Sequence, residues 1–476
     1  MQSPDSYDLV IIGSGFGSSF FLHKALRRLP ASARILVLER GGMFTHDWQI
    51  ANGRNSDIES ERTIRTAPGE KPWRFTIGFG GGTNCWWGVT PRMHPTDFQL
   101  RTRYGVGRDW PLSYDELEPF YGEAEAIMEV SGDPDIGQLF PRSTPFAQPP
   151  HRLTAADHLM KRARPDLHYV LPTARSRIPT LRRGACCASS TCGLCPNDAK
   201  FTANNGFRDT YDDPRVTVRT RAEVVALDAS GGAVRSAIYR QDGQEFVARG
   251  DLFVLGANAL FSPVILQRSG LATPHTGRGL HEQVGATVEV FLDGLDHFDG
   301  STATTGVNYG LFDGAHRSTA SGVMVLFRNY WWDGLRTEPG RWRQTLPLLL
   351  VAEDLPDEAN RVDAALDGGP PHVSHPGRSA YARKGIERAL GKLPELLSPL
   401  PVERIEFRRW RSSESHIQGT LRMGADLQDS VVDRDLVHHT LRNLVVVGTA
   451  VFPSCSCANP SLTAAALSLR AASRIL

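Results

Sequence analysis

The sequence predicts an α/β protein, α+β overall, in which a nucleotide-binding domain is joined to a second domain built on a mostly antiparallel sheet. Three observations support this fold class. A strand, a Gly-rich turn, a helix and a second strand open the chain within residues 7–39. Strand-like apolar runs return between residues 216 and 257. Residues 285–425 then alternate strand-like and helical patterns, which predicts a separate substrate domain.

The opening unit has the order of a Rossmann-like βαβ motif. Tyr7–Ile12 is a short apolar run with β-branched residues, and the Gly-rich turn at residues 13–18 follows at once. Residues 20–29 carry apolar side chains at helical spacing, and a second strand at residues 34–38 ends on Glu39. This order of strand, turn, helix, strand and acid is typical of a dinucleotide-binding site.

The small residues of the turn have distinct roles in such a site. Gly13 permits a tight turn, and Gly15 lets backbone amides approach a pyrophosphate, which the positive end of the helix dipole favours. Ser18 stands where a third glycine is usual and is small enough for the helix to pack on the strand. Glu39 lies near the usual offset of about 20 residues and can bind a ribose hydroxyl, which favours FAD or NAD over NADP.

Composition excludes several classes of function. The chain has 476 residues and a net charge of +1, so nothing indicates a nucleic-acid partner or an anionic membrane surface. No apolar run approaches the roughly 20 residues that a membrane helix needs. The first strand begins at residue 7, which leaves no room for a signal peptide. We therefore expect a cytoplasmic protein without a membrane span.

A second Gly-rich loop spans residues 78–88 and contains three consecutive glycines, at 80–82. A backbone of this kind allows close approach of a ligand. Cys85, Trp86 and Trp87 follow, and their side chains suit contact with a flat ring. The alternative is a flexible loop with two packing tryptophans, but a second Gly-rich loop in a nucleotide-binding chain favours cofactor contact.

Four of the seven cysteines fall within ten residues, in the pattern C-C-x4-C-x2-C. They are Cys186, Cys187, Cys192 and Cys195. Thiolates at this density suit an iron–sulfur cluster or zinc in a reducing compartment. The alternative is a loop stabilised by reduced or disulfide-paired cysteines. Cys455 and Cys457 are expected to be packing thiols.

Helix and loop signals divide the chain further. Ser113 and Glu116 form a capping-box pattern that opens a helix running to Gly132, and residues 133–182 are Pro-rich and mixed. The predicted division is a first nucleotide-binding part at 1–100, a helix, linker and Cys-rich insertion at 101–200, a second nucleotide-binding part at 201–284, a substrate domain at 285–425 and a C-terminal nucleotide-binding part at 426–476.

Together these segments resemble the glucose-methanol-choline (GMC) flavoprotein oxidoreductases. The resemblance rests on the turn at 13–18 with Glu39, the loop at 80–88, Trp110-Pro111, the segment His416–Gly424 and the segment Asn459–Thr463. These motifs occur in the family's order over nearly the whole chain. The nearest similarity is to the sugar-oxidising branch, including pyranose oxidases and catalytic subunits of bacterial FAD-dependent glucose dehydrogenases. The resemblance implies FAD and a substrate domain whose sheet covers the flavin.

The resemblance also implies roles for individual residues. His416 and Asn459 would form a catalytic His–Asn pair at the flavin. Cys85 occupies the place where some pyranose oxidases carry a flavin-tethering His, so the FAD is expected to be non-covalent. A [3Fe-4S] centre would be held by Cys186, Cys187 and Cys192, with Cys195 as a fourth ligand or a bystander. The full predicted cofactor-binding set is Gly13, Gly15, Phe16, Gly17, Ser18, Glu39, Arg40, Gly81, Gly82, Asn84, Cys85, Trp86, Trp87, Gly88, Val224, Ala257, Thr449, Ala450, Pro460 and Thr463.

These residues suit the oxidation of an alcohol. Flavin N5 takes the hydride from the carbinol carbon, and the hydroxyl proton needs a base. A neutral imidazole with an ordinary pKa of about 6.5 is such a base, so His416 is predicted to take the proton. The Asn459 amide can both donate to and accept from the substrate oxygen, and it would orient the C–H bond.

The predicted function is therefore FAD-dependent oxidation of a sugar, polyol or glycoside hydroxyl. We expect a dehydrogenase that passes electrons to a redox partner protein or a quinone or cytochrome acceptor rather than to oxygen. Trp331, Trp332 and Trp342 could stack on a sugar, and three acids, Asp333, Glu353 and Asp354, could bind hydroxyls or ammonium groups. If those acids line the pocket, an aminoglycoside-type intermediate becomes the alternative substrate. A flavin or iron–sulfur electron-transfer protein without alcohol turnover and a flavin-binding protein with a regulatory role are further alternatives.

Overall fold

A computed structural model describes residues 6–330 and 338–476. Its α-helices are α1 (Phe16–Ala25), α2 (His46–Asn52), α3 (Gly82–Cys85), α4 (Leu100–Tyr104), α5 (Tyr114–Ile127), α6 (Ala155–Ala163), α7 (Ala203–Gly206), α8 (Arg208–Tyr211), α9 (Asn258–Arg268), α10 (Ala380–Leu396) and α11 (Ser461–Ile475). Its strands are β1 (Ser6–Ile12), β2 (Ile35–Leu38), β3 (His168–Val170), β4 (Val216–Arg219), β5 (Glu223–Ser230), β6 (Ala233–Gln241), β7 (Gln244–Leu255), β8 (Arg278–His281), β9 (Val284–Leu292), β10 (Thr304–Asn308), β11 (Val323–Arg328), β12 (Thr345–Ala352), β13 (Arg361–Asp363), β14 (His372–Ser374), β15 (Val402–Trp410), β16 (Gln418–Thr420) and β17 (Leu444–Val446).

The first sheet is the nucleotide-binding sheet that the opening motif predicts. Seven strands follow the order β4-β2-β1-β7-β6-β5, with β17 also paired to β7. The pairs of β1 with β2 and with β7, of β2 with β4 and of β17 with β7 are parallel. Helix α1 packs on α11, and α11 packs on α5. The apolar residues of β1, β2 and α1 are buried in one core with α11.

The second sheet has six antiparallel strands in the order β15-β9-β12-β11-β10-β3. Every residue of β9 is buried, because β9 lies inside the sheet and α10 packs across it. This arrangement of a Rossmann-like sheet and a mostly antiparallel sheet confirms the predicted fold class. The strands β14, β13, β8 and β16 form a smaller, third sheet in that order.

The two large sheets draw on separate parts of the chain. Strands of the first sheet come from residues 6–38, 216–255 and 444–446, and strands of the second come from residues 168–170 and 284–410. Strand β3 thus joins the second sheet, although the sequence predicts only linker and insertion around it. The division of the chain into five segments stays a prediction.

The predicted capping box opens α5 as expected. The Ser113 hydroxyl accepts a hydrogen bond from the Glu116 backbone N–H, and the Glu116 carboxylate accepts one from the Ser113 N–H at 3.0 Å. These two bonds satisfy backbone donors that a helix start leaves without partners. Within the described residues, no helix is both long enough and apolar enough to cross a membrane.

Candidate active site

A cavity of about 990 Å³ lies between the carboxyl ends of the parallel strands and one face of the antiparallel sheet. Ile12 and Leu38 line it from the first sheet, and Thr304, Leu326 and Leu349 line it from the second. Ligands of open parallel sheets bind at the carboxyl ends of the strands. The cavity therefore lies where the opening motif predicts a dinucleotide.

The first Gly-rich turn is built for close backbone approach. Gly13 has a φ of +87°, and a Cβ there would lie 2.6 Å from the Gly256 carbonyl oxygen. A Cβ on Gly17 would lie 2.5 Å from the Gly448 nitrogen, so α1 needs glycine to pack this closely. A Cβ on Gly15 would meet no described atom within 4 Å, because Gly15 faces the cavity. The space beside Gly15 fits a pyrophosphate.

The start of α1 is open to an anion. Gly15 is the N-cap residue, no described side chain caps the helix, and its first turn contains no acid. The N–H groups of a helix start and the positive dipole end attract negative charge. The turn thus combines a steric and an electrostatic fit to the phosphates of FAD.

Glu39 is fixed at the end of β2 by the same turn. Its carboxylate accepts hydrogen bonds from the Ser14 N–H at 3.0 Å, the Ser14 hydroxyl at 2.6 Å and the Gly41 N–H at 2.9 Å. Glu39 is only 6% exposed and lines the cavity. A carboxylate held in this way can still accept from ribose hydroxyls, and it repels a 2′-phosphate.

The second Gly-rich loop contacts the first. Gly81 has a φ of +46°, and a Cβ there would lie 3.3 Å from the Gly15 Cα. The Trp86 ring packs edge-on against Phe16 at 4.7 Å, and its Nε1–H donates to the Phe201 carbonyl at 2.8 Å. Both loops therefore form one wall of the cavity, and the Trp86 side chain fixes that wall.

Most of the predicted cofactor-binding residues line the cavity, and five do not. Those that line it are Gly13, Gly15, Phe16, Gly17, Glu39, Arg40, Gly81, Gly82, Cys85, Trp86, Trp87, Val224, Ala257, Thr449 and Pro460. Those that lie behind its wall are Ser18, Asn84, Gly88, Ala450 and Thr463. The Thr463 hydroxyl, for example, is buried and bonds the Tyr121 hydroxyl at 2.8 Å.

His416 and Asn459 meet at the cavity from different elements. His416 lies two residues before β16, after Ser415, whose φ of +62° turns the chain. Asn459 lies two residues before α11. The Asn459 Nδ2 and the His416 Nε2 are 3.1 Å apart, and both residues line the cavity. The Asn459 Oδ1 is buried and has no hydrogen-bond partner among the described residues, so it can accept a hydrogen bond from a bound ligand.

The surroundings of His416 keep its ring neutral. Burial, the largest cause, and the nearby cations Arg411 and Lys71 together lower the pKa of His416 to about 3. His416 is partly buried and lines the cavity. An unprotonated imidazole is the form that accepts a proton.

Lys71 and Glu282 support the His416 backbone, and sequence reasoning assigns no role to either. Glu282 accepts hydrogen bonds from the His416 N–H at 2.8 Å and from the Ser413 hydroxyl at 3.0 Å. Lys71 forms an ion pair with Glu282, and burial lowers the pKa of Lys71 to about 7.

Comparison with known proteins agrees with this geometry. Residues 385–468 match the family profile described as GMC oxidoreductase. The fructose dehydrogenase large subunit of Gluconobacter japonicus is 27% identical, over 99% of this chain and 98% of that protein. The paromamine 6′-oxidase of Streptomyces fradiae is 27% identical, over 98% and 91%. Among solved structures, pyridoxine 4-oxidase from Mesorbium loti shares the fold, with a TM-score of 0.70 at 18% identity over 98% of this chain and 99% of that chain.

The chain is similar to GMC oxidoreductases. It is an oxidoreductase that acts on CH–OH groups, and the residues described above fit FAD.

The Cys-rich segment of the chain lies beside the second Gly-rich loop. No disulfide joins the seven cysteines, all of which are described. Cys192 is buried and Cys187 is exposed, while the Cys186 Sγ lies 3.4 Å from the Thr302 hydroxyl and the Cys195 Sγ accepts from the Ala199 N–H at 3.3 Å. Across residues 6–330 and 338–476, no three His, Cys, Asp or Glu side chains converge in a metal-binding group. The cysteines as placed do not fit a cluster.

Lys200 joins this segment to the cofactor loop. Its ammonium group is buried and donates to the Asn84 carbonyl at 2.6 Å, the Trp86 carbonyl at 2.9 Å and the Gly193 carbonyl at 3.4 Å. Burial lowers the pKa of Lys200 to about 8, and the nearby thiols act in the opposite direction. The cysteine turn is thereby held against the backbone of the second Gly-rich loop.

The acids considered for substrate binding lie elsewhere. Glu353 is buried in an ion pair with Arg317, and the Asp354 carboxylate accepts from the Ser379 N–H at 3.2 Å at the start of α10. Neither lines the cavity. Trp331, Trp332 and Asp333 lie outside the described residues, and Trp342 is 47% exposed. The charged residues that line the described cavity are Glu39, Arg40, Arg74, Glu223, Arg268, Arg328, Arg409, Arg411 and Glu414.

Proposed function

We propose that this chain oxidises a hydroxyl group of a neutral sugar or polyol, with His416 as the base and Asn459 as the orienting partner. The observation that carries the proposal is the contact between the Asn459 Nδ2 and the His416 Nε2 at the wall of the FAD cavity. A single histidine is most often structural, but this one is neutral, cavity-lining and paired with an amide that has a free acceptor.

The protein's own groups account for the handling of the proton. A substrate hydroxyl placed beside the pair would replace the hydrogen bond between Asn459 and His416: it would donate its hydrogen to the His416 Nε2 and accept from the Asn459 Nδ2. The buried Asn459 Oδ1 offers a further acceptor to a neighbouring hydroxyl of the substrate. These bonds fix the carbinol C–H in one direction, which reduces the entropy cost of reaction. Bound FAD supplies the acceptor for the two electrons.

The placement of two acids supports a neutral substrate over an amino sugar. Glu353 and Asp354, which could have bound an ammonium group, are engaged in other contacts and do not line the described cavity. The names of the relatives include both a fructose dehydrogenase and a paromamine oxidase, so both substrate classes belong in the assay.

The proposed electron acceptor is a redox partner protein, a quinone or a cytochrome rather than oxygen. The relative from Gluconobacter japonicus is named as a large subunit, which supports a partner. The described thiols of the Cys186–Cys195 segment do not converge as placed, so nothing in the geometry supports the [3Fe-4S] centre that the resemblance implies. Iron and sulfide analysis with EPR of the oxidised protein tests it, and fully active protein free of iron would eliminate it.

The decisive experiment is anaerobic mixing of the FAD-loaded enzyme with a panel of sugars, polyols and amino sugars, followed by flavin absorbance. Substitution His416→Ala should slow flavin reduction by about 10²-fold or more, because a general base contributes at least this much. The exposed His158 supplies a matched control, and His158→Ala should reduce its flavin like the wild type. Near-normal reduction in His416→Ala protein that retains FAD would remove the assignment. Bleaching by amino sugars alone would replace the neutral substrate class with the cationic one.

A further inference from the structure

Gln283 contacts the His416 ring and the backbone segment that precedes Asn459. We propose that Gln283 is a positioning residue that determines which ring nitrogen of His416 carries the proton, and thereby leaves Nε2 free to act as the base. The inference rests on the proposed function for the role of His416, but the protonation pattern itself is a property of the protein alone.

The hydrogen bonds of Gln283 determine the orientation of its amide. The Gln283 Nε2 lies 2.6 Å from the Ser456 carbonyl oxygen and 2.7 Å from the Ala458 carbonyl oxygen. Carbonyl oxygens only accept, so the NH₂ group must face them. Both amide hydrogens are then used, and the Gln283 Oε1 must point the other way. That oxygen is the atom in contact with the His416 Nδ1.

This orientation fixes the tautomer of the imidazole. An amide oxygen can only accept a hydrogen bond, so the His416 Nδ1 must carry the hydrogen. The neutral ring has one N–H, which leaves a lone pair on Nε2. The contact on the other side of the ring agrees, because the Asn459 Nδ2 at 3.1 Å donates and so requires an acceptor at Nε2.

Burial gives this arrangement its strength. Gln283 is 2% exposed, and its two carbonyl partners are equally enclosed. A reversed amide would place its oxygen against two carbonyl oxygens and its NH₂ against a ring N–H, and buried polar groups without hydrogen-bond partners are destabilising. The other tautomer would also place an N–H at Nε2 against the Asn459 amide. The buried contacts therefore select one protonation pattern.

Gln283 also holds the loop that carries Asn459. The carbonyl groups that it binds belong to residues one and three positions before Asn459. The Ser456 hydroxyl in turn accepts from the Ala458 N–H at 3.0 Å and donates to the Asp97 carboxylate at 2.6 Å. One side chain thus joins the base to the segment of its partner.

Charged side chains also lie near the His416 ring and affect its pKa. Lys71 and Arg411 both lower the pKa of His416, and their carboxylate partners are Glu282 and Glu414. Glu282 accepts from the His416 backbone N–H at 2.8 Å. The two ring nitrogens contact the Gln283 and Asn459 amides. The tautomer is therefore set by the two amides, and the charges act on the acidity of the ring.

The test is ¹⁵N NMR of the FAD-loaded enzyme labelled at histidine, with His416 assigned by its loss in His416→Ala. Long-range proton–nitrogen correlations distinguish the two neutral tautomers. We expect the wild type to show a protonated Nδ1 and an unprotonated Nε2. A protonated Nε2 in the wild type would overturn the inference, whatever the result for activity.

Substitutions then separate positioning from packing. Gln283→Leu should yield a mixture of tautomers and slow flavin reduction by about tenfold or more. Gln283→Glu keeps an acceptor at Nδ1 but adds a negative charge, so it should keep the tautomer and move the acid limb of the pH profile of flavin reduction to higher pH. A wild-type tautomer and rate in Gln283→Leu, or an unmoved pH profile in Gln283→Glu, would contradict the role.

The matched control is Gln418→Leu. Gln418 is also buried, at 1% exposure, and its Nε2 donates to the His416 backbone carbonyl at 3.2 Å rather than to the ring. This variant should keep the wild-type tautomer. The proposed role of His416 as the base and the proposed role of Gln283 can fail independently. Normal flavin reduction in His416→Ala would contradict the role of His416, whereas the tautomer of the wild-type ring would still be measured by NMR.

Discussion

Because His151 is buried, we expect the free energy of unfolding to fall measurably in mild acid. His151 is 3% exposed, its Nε2 lies 2.9 Å from the Arg175 carbonyl oxygen, and its Nδ1 lies 3.1 Å from the Ser301 hydroxyl. The carbonyl can only accept, so the neutral ring carries its hydrogen on Nε2 and accepts from Ser301 at Nδ1. Burial, the largest cause, lowers the pKa of His151 to about 4.

The sign of the effect follows from the direction of the shift. The folded protein binds a proton at His151 less readily than the unfolded chain, whose histidines have a pKa of about 6.5. The contribution to stability is therefore complete above that value and is lost as the pH falls towards the folded pKa. At about pH 5 the unfolded chain is mostly protonated at His151 and the folded protein is not. The free energy of unfolding is therefore about 2 kcal/mol lower at about pH 5 than at about pH 7.

This free energy corresponds to a small but resolvable change in Tm. For 476 residues, an unfolding entropy of about 2 cal/mol/K per residue gives about 2 °C for 2 kcal/mol. The variant His151→Gln keeps a donor for the Arg175 carbonyl and cannot titrate. Between about pH 7 and about pH 5, its Tm should fall by about 2 °C less than the Tm of the wild type.

Calorimetry of both proteins at both pH values measures this difference. Comparing the change with pH inside each protein removes any fixed packing cost of the substitution. The exposed His158 provides the control, and His158→Gln should reproduce the pH dependence of the wild type. Equal changes of Tm in His151→Gln and the wild type would refute the assignment of a buried, neutral His151.

Three further outcomes are expected. Gly15→Ala places a methyl group in the cofactor cavity and should raise the Kd for FAD at least about tenfold in a titration followed by flavin fluorescence. Gly391→Ala is the control, because a Cβ there also meets no described atom within 4 Å, and it should not change FAD binding. Arg317→Met leaves its buried carboxylate partners uncompensated and should cost about 3–5 kcal/mol in thermal unfolding. Ser113→Ala removes an N-cap worth about 1 kcal/mol and should speed hydrogen exchange in the first turn of α5 without changing FAD content.

Local features of the fold could be predicted from the sequence because their causes are local. The turn at residues 13–18 and the acid at Glu39 depend on glycine geometry and strand order, and both take the predicted form. The capping box at Ser113 depends on residues three apart. Strand β3 was missed because a three-residue strand has no periodicity of its own and exists through its pairing with β10.

The site could be predicted only in part, because much of it depends on long-range packing. The resemblance indicated His416 and Asn459, and the structure places them in contact, but the spacing of cysteines does not reveal whether their thiols converge. The sequence suggested Glu353 as an acid that could bind substrate, yet it is buried against Arg317 from another segment. The catalytic roles, the iron–sulfur site and the cytoplasmic location stay predictions.

The choice of a neutral amide as the partner of His416 has a chemical consequence. A carboxylate at the position of Gln283 would fix the same tautomer but would also stabilise the imidazolium and raise its pKa. The neutral Gln283 fixes the tautomer without stabilising the imidazolium, which agrees with a His416 pKa of about 3. When the ring takes a proton, the nearby cations Lys71 and Arg411 oppose the new charge. Its stabilisation must therefore come from the substrate and cofactor side of the cavity, so proton transfer is favourable only when that side is occupied.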